Sequence, residues 1–579
     1  MPEERTLPIP AEHREFTVKV DGQAVERVHQ LLSVTITKVA DKISAARLVY
    51  LDGNASEGIF PASNSELFIP GKEIEILAGT TNDPVSLFKG IVTGQSIKVR
   101  DNAAPQLIVE CKHKVIGLTI GRKNAYFFDQ TDSDILTTIL GNAPVTADVE
   151  STTVTHKQMV QYYSTDWDFL LTRAQANGKM VFTEGDTVSI KEPALSGRSV
   201  CTLQFGATLL EMDAEIDSRL QYSAVKGVAW DPAQQALVEK DGADPGNLAP
   251  GNLTSSDLAS VAGPDHFHLQ QSSLSEDEAQ SWADAKWLKS KLGQVSGRMK
   301  CEGFSNIKPG DLVTIAGIGD RFNGDVFVTG VRQSLDLVEG WKTHIQFGSS
   351  CDWLAEQNEV SAPKAGALLP GVSGLQIGVV VSNEDPDSEH RVRVKMPLVD
   401  NAEDGTWARV ASLDAGDQRG FFFRPEVGDE VVLGFLDDDP RQAVILGMLH
   451  SSAKAAPLTG SDDNHEKMYQ SRSGMKLYFN DDKKIILLET PAGKKVTLDE
   501  DAGELKMVDE NENKIVLSSD GILIQSNGKI EIKAQQDIKM EGLNVESKAQ
   551  ASFKAEGSAS AEVKASGTLT LKGAMVQIN

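Results

Sequence analysis

The sequence lacks any apolar run near the ~20 residues that a membrane-spanning helix requires, although 40% of its 579 residues are hydrophobic. It also lacks a secretory signal, because the N-terminal stretch MPEERTLPIPAEHREF has neither a basic start nor an apolar core. We therefore expect a soluble protein without stable membrane insertion. We expect it to assemble in the cytoplasm and to leave the cell, if it does, by some other route.

Positive charge and cysteine are both scarce. The chain has 57 Lys and Arg against 83 Asp and Glu, a formal net charge of -26, which argues against nucleic acid as a partner because phosphate binding needs clustered basic residues. Its few cysteines are far apart without a C-x-x-C spacing. Such wide separation predicts buried free thiols rather than a zinc site or a disulfide framework. The cysteines are Cys111, Cys201, Cys301 and Cys351.

Motifs for catalysis are missing as well. There is no P-loop, no G-x-S-x-G, no H-E-x-x-H and no plausible Cys/His nucleophile pair. Carboxylates are abundant enough that a glycosidase pair stays open by counting, yet nothing in the sequence places two of them together. We therefore predict no enzyme, no catalytic residue and no cofactor.

Two groups of residues could bind a metal, and both have a simpler explanation. His266 and His268 in DHFH would face one side of a strand, but no third ligand is near in sequence, which favours a surface loop. Asp437, Asp438 and Asp439 precede Pro440 and are more typical of a charged turn than of a calcium site. No metal is predicted.

The first part of the chain is predicted to be β-rich with a few helices. From residue 14 to about 118, short alternating runs such as EFTVKV and LLSVTITKV are separated by turns. DQTDSDILTTILG predicts a helix capped by Asp132 or Ser133, and TDWDFLLTRAQANG predicts another that Gly178 ends. Residues 239–264 look like an exposed loop by composition. Ser275 and Glu278 form a capping box that opens a further helix.

Strands return before residue 350, and the chain then changes character. Residues 361–372 form a linker by composition. Five short strands with Gly-rich corners follow within 373–455, which predicts a small Greek-key barrel of the oligonucleotide/oligosaccharide-binding (OB) type. The predicted hub, residues 1–360, contains two β-barrel-like subdomains at roughly 14–118 and 119–360.

From residue 473 onward the sequence consists of serial short strands with polar corners, ending in VESKAQASFKAEGSASAEVKASGTLTLKGAM at 545–575. Its odd positions are almost all apolar or small, and its even positions up to Lys572 contain no apolar residue, a period of two that predicts an extended chain. A helix would place a carboxylate and hydroxyls on the buried face, and a disordered tail would not keep the alternation. Late in the segment the apolar residues recur every eight, with a slip near Gly542.

Extended over about 100 Å at ~3.3 Å per residue, such a segment cannot satisfy its own backbone, and no Asn-Gly or proline turn folds it back. The partners it needs are other copies of the chain. We therefore predict a parallel homotrimer with an intertwined β-helix or prism at 456–579, because small residues suit convergence on one axis. Its predicted core is Ile530, Ile532, Ile538, Val545, Phe553, Val563, Leu569 and Leu571.

The order of these parts resembles a known family. A β-rich hub with TDWDFLLTRAQANGKMVF and IKPGDLVTIAGIGDRFNGDVFVTGVRQ precedes a barrel with GVVVSN, HRVRVKMP and RPEVGDEVVLGFLDDDPRQAVILG, and a prism follows. This arrangement resembles VgrG, the trimeric central spike of type VI secretion systems and related contractile injection particles. It is also similar to the fused hub and needle of a tailed-phage baseplate.

The resemblance implies a mechanical role. The trimer would sit under an Hcp-like inner tube, contact baseplate proteins through its hub, carry cargo effectors and puncture a target membrane when a sheath contracts. Contraction would deliver it outside the cell or into the target cell. A PAAR-type tip protein would bind the blunt end of the prism, at Ala574, Met575, Val576, Gln577, Ile578 and Asn579.

Two departures from the phage needle matter. Only about twenty residues separate barrel and prism, too few for the lysozyme domain found there, and no His-x-His follows His465 to make a metal-binding tip. The alternative is a glycan-binding or glycan-degrading trimer that resembles a phage tailspike. Co-purification with a tube protein would favour the spike, and glycan turnover would favour the tailspike.

Overall fold

A computed structural model describes residues 15–80, 83–246, 250–402 and 405–578. The chain forms two compact units, residues 1–372 and 373–579. The structure is mainly β, which confirms the predicted fold class. Among the described residues, no helix is both long and apolar enough to cross a membrane.

The first unit begins with a run of antiparallel strands. Residues such as Val34, Ile36, Leu48 and Tyr50 alternate inward and are at most 1% exposed, so the pleat of each strand buries one face. Together these strands enclose one apolar core. The strands are β1 (Glu15–Val20), β2 (Gln23–Ala24), β3 (Leu31–Val39), β4 (Ala45–Leu51), β5 (Glu73–Thr80), β6 (Asp83–Arg100) and β7 (Ala103–Lys112).

Two helices and five strands follow around a second core. The ribbon of β8 and β10 is antiparallel, and β12 pairs with both β11 and β9. The helix of TDWDFLL ends before Gly178, whose φ of +66° is left-handed, as predicted. The elements are β8 (Lys123–Thr131), α1 (Asp132–Leu140), β9 (Thr146–Val149), β10 (Thr155–Ser164), α2 (Asp166–Ala176), β11 (Met180–Glu184) and β12 (Thr187–Lys191).

The strands in the rest of the first unit build a third core, and a long helix contributes to a separate, smaller one. The strand order in the large sheet is β14-β18-β21-β20-β3-β4-β7-β6-β5-β1-β2, with β19 joining β13 to β20. The elements are β13 (Cys201–Gln204), β14 (Glu211–Ile216), β15 (Val225–Asp231), β16 (Ala236–Asp241), α3 (Ser255–Ala262), β17 (Phe267–Gln271), α4 (Glu276–Leu292), β18 (Val295–Glu302), β19 (Leu312–Ala316), β20 (Gly324–Asp336), β21 (Gly340–Phe347) and α5 (Leu354–Gln357).

Three helix starts test the sequence analysis. The capping box of Ser275 and Glu278 is present at α4, which confirms that prediction. The cap of α1 is Thr131, paired with Asp134, so the predicted caps Asp132 and Ser133 are wrong by one or two residues. The predicted loop 239–264 contains α3, which begins with a capping box of Thr254 and Asp257.

The second unit opens with a closed five-stranded barrel in the order β22-β23-β24-β28-β27. Val392, Val394, Val431 and Leu433 fill it and are fully buried. All five strands predicted from the sequence are found, and the small hairpin β25–β26 lies between them. The elements are β22 (Gln376–Ser382), β23 (Val392–Lys395), β24 (Thr406–Val410), β25 (Ala415–Gly416), β26 (Arg419–Gly420), β27 (Glu430–Phe435) and β28 (Ala443–Met448).

A seven-stranded antiparallel sheet follows, in which each strand pairs with the next along the chain. Every strand has five residues, as the serial short runs of the sequence predict. The strands are β29 (Glu466–Gln470), β30 (Lys476–Asn480), β31 (Ile485–Glu489), β32 (Lys495–Asp499), β33 (Glu504–Val508), β34 (Lys514–Ser518) and β35 (Gly521–Gln525).

Candidate assembly site

The seven-stranded sheet carries two unbroken columns of side chains on one face. Because residues directly opposite on neighbouring strands share a face, the register fixes both columns. The first column is Tyr469, Leu477, Leu488, Val496, Met507, Ile515 and Ile524, and the second is Lys467, Phe479, Ile486, Leu498, Leu505, Leu517 and Ile522. We call this the apolar face, since Lys467 is its only charged member.

The opposite face of the same sheet is predominantly polar, with Leu487, Val516 and Leu523 among its charged and polar side chains. Glu489 on β31 forms ion pairs with Lys476 on β30 and Lys495 on β32, each with an N–O distance of 3.1 Å. These two lysines lower the pKa of Glu489. Lys506 and Glu504 on β33 lie 3.7 Å apart. A face that pairs its charges in this way is suited to water, so the sheet has a defined inside and outside.

The apolar face is uncovered in the single chain. Leu488 is 50% exposed, Met507 is 45% exposed and Ile522 is 72% exposed. No described residue after Ile445 is buried. Monomeric soluble proteins rarely expose contiguous apolar patches larger than a few hundred Å², and larger patches mark interaction sites.

Beyond the sheet, the chain continues to residue 578 as an extended segment, residues 526–578, that we call the tail. It forms no strand within the described residues. Its backbone bends at 527–528, 535–536, 543, 550–551, 558–559, 566–567 and 574. The bends recur every eight residues, with a single interval of seven after 543, which agrees with the predicted spacing and its slip near Gly542.

The bends divide the last part of the tail into short extended runs. The segment 545–575, predicted to be extended and to form part of a prism with corners about eight residues apart, changes direction four times, at 550–551, 558–559, 566–567 and 574. Each bend from 535 onward comes directly after a small residue, because a larger side chain would crowd the turn. Those residues are Ala534, Gly542, Ala549, Gly557, Ala565 and Gly573.

The residues predicted to form the prism core all lie on the tail and are 52–77% exposed. The structure does not bring them together, because they follow one another along an extended chain. They are Ile530, Ile532, Ile538, Val545, Phe553, Val563, Leu569 and Leu571. Their assignment to a trimer core stays a prediction.

The predicted tip-binding residues lie at the end of the tail. Met575 and Ile578 are each 83% exposed and Val576 is 52% exposed, while Ala574 and Gln577 are exposed as well. Asn579 lies outside the described residues. Their binding role stays a prediction.

The sequence analysis missed the apolar face, although its signal is present. Pairs of apolar residues two apart, such as Leu477 with Phe479 and Ile486 with Leu488, recur once per strand from residue 477. The predicted core began only at Ile530. The apolar pairs before it recur at irregular intervals of seven to ten residues, so the eight-residue spacing does not detect them.

The first unit contains a buried cluster of charges that the sequence analysis also missed. His156 on β10 lies 2.9 Å from Asp132 on α1 through Nε2 and 3.1 Å from Glu278 on α4 through Nδ1. Arg173 on α2 donates two hydrogen bonds to Asp132, at 2.7 and 2.9 Å, and Asn177 donates a third. Four elements therefore meet at these side chains.

The hydrogen bonds in this cluster set its ionisation. Contacts with Asp132, and then with Glu278, raise the pKa of His156 to about 9. Burial alone would raise the pKa of Asp132, but the bonds from His156, Arg173 and Asn177 outweigh burial and lower it. The bond from His156 lowers the pKa of Glu278. The cluster is thus a set of paired charges that joins helices.

The candidate metal ligands form no metal site. His266 and His268 are exposed at β17 with ring centroids 6.5 Å apart. Asp439 forms a 2.6 Å ion pair with Arg441, and Asp437 and Asp438 have left-handed backbones in a turn. In the part of the chain that the structure describes, no three His, Cys, Asp or Glu side chains cluster as metal ligands.

Family models match parts of both units. Residues 10–336 match the family model described as "Alg8 N-terminal domain", which is more than half of the chain. Residues 376–450 match the model described as "Type VI secretion system/phage-baseplate injector OB domain". The second match contains all five strands of the closed barrel.

Among curated proteins, the chain is similar to the actin cross-linking toxin VgrG1 of Vibrio cholerae, 30% identical over 133 residues. That match covers 22% of this chain and 12% of the toxin. The type VI secretion system spike protein VgrG1b of Pseudomonas aeruginosa is 27% identical over 162 residues, covering 26% of this chain and 22% of the relative. The matched stretches thus span less than a quarter of either relative.

Among solved structures, the 43 kDa tail protein of prophage MuSo2 from Shewanella oneidensis aligns with a TM-score of 0.44 and 13% identity. The alignment covers 58% of this chain and 98% of the tail protein. Because the first model matches more than half of the chain, the chain belongs to the Alg8 N-terminal domain family, and its barrel and curated matches are similar to type VI secretion spike proteins and phage-baseplate injectors.

Proposed function

We propose that the chain is the subunit of a homotrimeric central spike in a contractile injection system. The observation that carries the proposal is the C-terminal half of the second unit, where an uncovered apolar face leads into a tail that has no strand partner of its own. The extended backbone of residues 526–578 needs hydrogen-bond partners. Two further copies of the chain would supply matching backbone donors and acceptors.

The domain organisation proposed for this spike has four parts. Residues 1–360 form the hub, 361–372 the linker, 373–455 the OB barrel and 456–579 the prism. The break between the two compact units after residue 372 supports the placement of the linker, and the closed barrel of β22, β23, β24, β28 and β27 supports the OB part.

The mechanism follows from stiffness. In the trimer, three apolar faces meet on one axis and exclude water, while the polar faces with their Lys–Glu contacts point outward. Burying a Leu or Ile side chain stabilises by about 1.5–3 kcal/mol, and each layer of the prism contains three copies of each such residue. A rod held this way resists bending, so force applied at the hub reaches the tip and drives it through a membrane.

The partners proposed for the spike are those of its group. The hub would contact an Hcp-like inner tube and baseplate proteins, and residues 574–579 would bind a PAAR-type tip protein. Cargo effectors would travel on the assembly. The subunit would assemble in the cytoplasm and be delivered by sheath contraction. We assign it no catalytic activity, because the match to the actin cross-linking toxin covers only 12% of that protein.

The first test is the mass of the purified chain by sedimentation equilibrium. The expected result is a stable species of three times the 62.5 kDa subunit mass. A folded species that stays at the subunit mass would overturn the proposal. Incubation with peptidoglycan and capsular glycans addresses the tailspike alternative, since turnover by the trimer would favour that function instead.

A further inference from the structure

The sheet and the tail differ in what one chain can supply. In β29–β35 every strand is paired with its sequence neighbour over four or five residues. The tail forms no strand in the described residues of one chain. The sheet can therefore form before any partner arrives, whereas the tail depends on chains that are already aligned.

The columns of the sheet continue into the tail. Ile522 and Ile524 end the two columns on β35, and the apolar pair that follows them is Ile530 and Ile532, eight residues later. Ile538 and Met540 come eight residues after that. Because the apolar pairs continue without a gap from the sheet into the tail, one occupant covers both, and for the tail that occupant is a second and third copy of this chain.

The two segments also differ in how much apolar surface they offer. The sheet presents thirteen large apolar or aromatic side chains in its two columns. From residue 545 onward, most positions of the same face are Ala, Gly or Ser, with large residues only at intervals such as Phe553 and Leu569. Hydrophobic driving force scales with the apolar area buried, so the thirteen large side chains of the sheet contribute more in total than the eight of residues 545–578.

From these observations we infer that the apolar face of β29–β35 is the surface on which three copies first recognise one another, and that it sets the register in which the tails intertwine. The inference rests on the proposed trimer and assigns the recognition between its copies to the sheet β29–β35. Ordering the tail costs the conformational entropy of about fifty residues, and prior docking of the sheets removes the need to align the chains at the same time.

The test uses the full-length chain with one substitution in each segment. Leu498→Asp places a charge in the second column on β32, and Thr497→Asp places the same charge on the polar face of the same strand as the matched control. Phe553→Asp places it in the tail. Sedimentation equilibrium measures the trimer, and limited proteolysis reports whether the tail is protected.

The expected results separate the two segments. Leu498→Asp should raise the concentration at which the trimer dissociates by roughly a thousandfold, since three buried leucines are lost at once. Thr497→Asp should leave the trimer unchanged. Phe553→Asp should remain a trimer whose tail is cleaved faster than that of the unsubstituted chain.

Two outcomes would overturn the inference while leaving the proposed function in place: a trimeric Leu498→Asp chain of unchanged affinity, or a monomeric Phe553→Asp chain. A monomeric unsubstituted chain would instead defeat the proposed function itself. Circular dichroism and the thermal transition of the hub check that Leu498→Asp is folded, and the milder Leu498→Ser should weaken the trimer in the same direction if the aspartate variant fails to fold.

Discussion

At the scale of single residues, His156 shows how one side chain can connect distant parts of the first unit. Its ring bridges Asp132 on α1 and Glu278 on α4 at 2.9 and 3.1 Å, and its side chain is 4% exposed. A buried ion pair contributes little when compared with an apolar replacement, but the loss of one partner leaves an uncompensated charge and is costly. The ionisation of His156 should therefore control the stability of the hub.

The pH dependence follows from the raised pKa. Contacts with Asp132 and Glu278 raise the pKa of His156 to about 9, above the ~6.5 of an unfolded histidine. The stabilisation is therefore fully present below about pH 6.5 and is lost as the pH rises through about 9. Its size is roughly 3 kcal/mol. The thermal midpoint of the hub, measured from pH 6 to pH 10, should fall over this interval.

The variant His156→Gln separates the contribution of His156 to stability from that of other groups that titrate at high pH. Its hub should unfold at a lower temperature than the unsubstituted protein at pH 7, and the difference should shrink toward pH 10. His266→Gln, at an exposed histidine, serves as the control and should follow the unsubstituted curve. A constant difference between pH 6 and pH 10 would refute the role of His156 ionisation.

At the scale of secondary-structure elements, the start of α4 is where local sequence and tertiary contact coincide. Ser275 caps the helix, Glu278 completes the capping box, and the same Glu278 contacts His156 at 3.1 Å. One glutamate thus satisfies the helix end and joins the helix to the charge cluster. The cap should determine how well the first turn of α4 is ordered.

Replacing Ser275 by Ala removes the oxygen that accepts from the Glu278 amide. Loss of a serine cap costs about 1 kcal/mol, which corresponds to roughly fivefold faster opening of the first turn. Hydrogen exchange at the amide of Ala279, which donates to the Ser275 carbonyl at 3.0 Å, measures the change directly. Ser275→Asn, which keeps a capping oxygen, should restore protection, and equal exchange in all three proteins would contradict the prediction.

The elements also show why parts of the fold could be predicted and others could not. The barrel strands and the α4 cap depend on neighbours in sequence, so alternation and a Ser-x-x-Glu pattern sufficed. Helix α3 was hidden because the Gly and Pro residues around it dominate the composition, and its cap uses Asp257 rather than Glu. The cap of α1 was misplaced because Asp132, a good capping residue, is instead held by Arg173 and His156 in a contact between distant segments.

The candidate assembly site also contains one part that the sequence predicted and one part that it did not. The eight-residue spacing of the tail is a local repeat, so it was predicted correctly. The apolar face required the register between strands, because only that register shows Leu488 opposite Val496 and Val496 opposite Met507. Single-strand patterns cannot distinguish an apolar pair that continues a column from one that does not.

At the scale of the whole molecule, net charge would oppose assembly of the proposed trimer. Each chain carries a formal net charge of -26, and three parallel copies bring three times that charge together. Exposed charges repel over a Debye length of about 30 Å at 10 mM salt and about 8 Å at 150 mM. Apolar burial along the axis has to exceed this repulsion, so the trimer should strengthen as salt rises.

Sedimentation equilibrium at 10 and 150 mM NaCl provides the test. The dissociation constant of the trimer should fall on the order of tenfold at the higher salt, because screening reduces the repulsion between acidic chains. KCl should act as NaCl does, since screening depends on ionic strength and not on the cation. A dissociation constant that rises with salt would show that ion pairs between chains outweigh the net repulsion.

The cysteines of the first unit have a practical consequence. All four are buried free thiols, as the sequence predicted, and burial raises the pKa of Cys111, Cys201 and Cys301 to about 12 and that of Cys351 to about 11. Thiolates react with maleimides whereas buried thiols stay inert, so the native surface offers no coupling site. A cysteine introduced at the exposed Ser558 would be the one reactive thiol of the chain, and a fluorophore attached there would report the position of the tail by light microscopy.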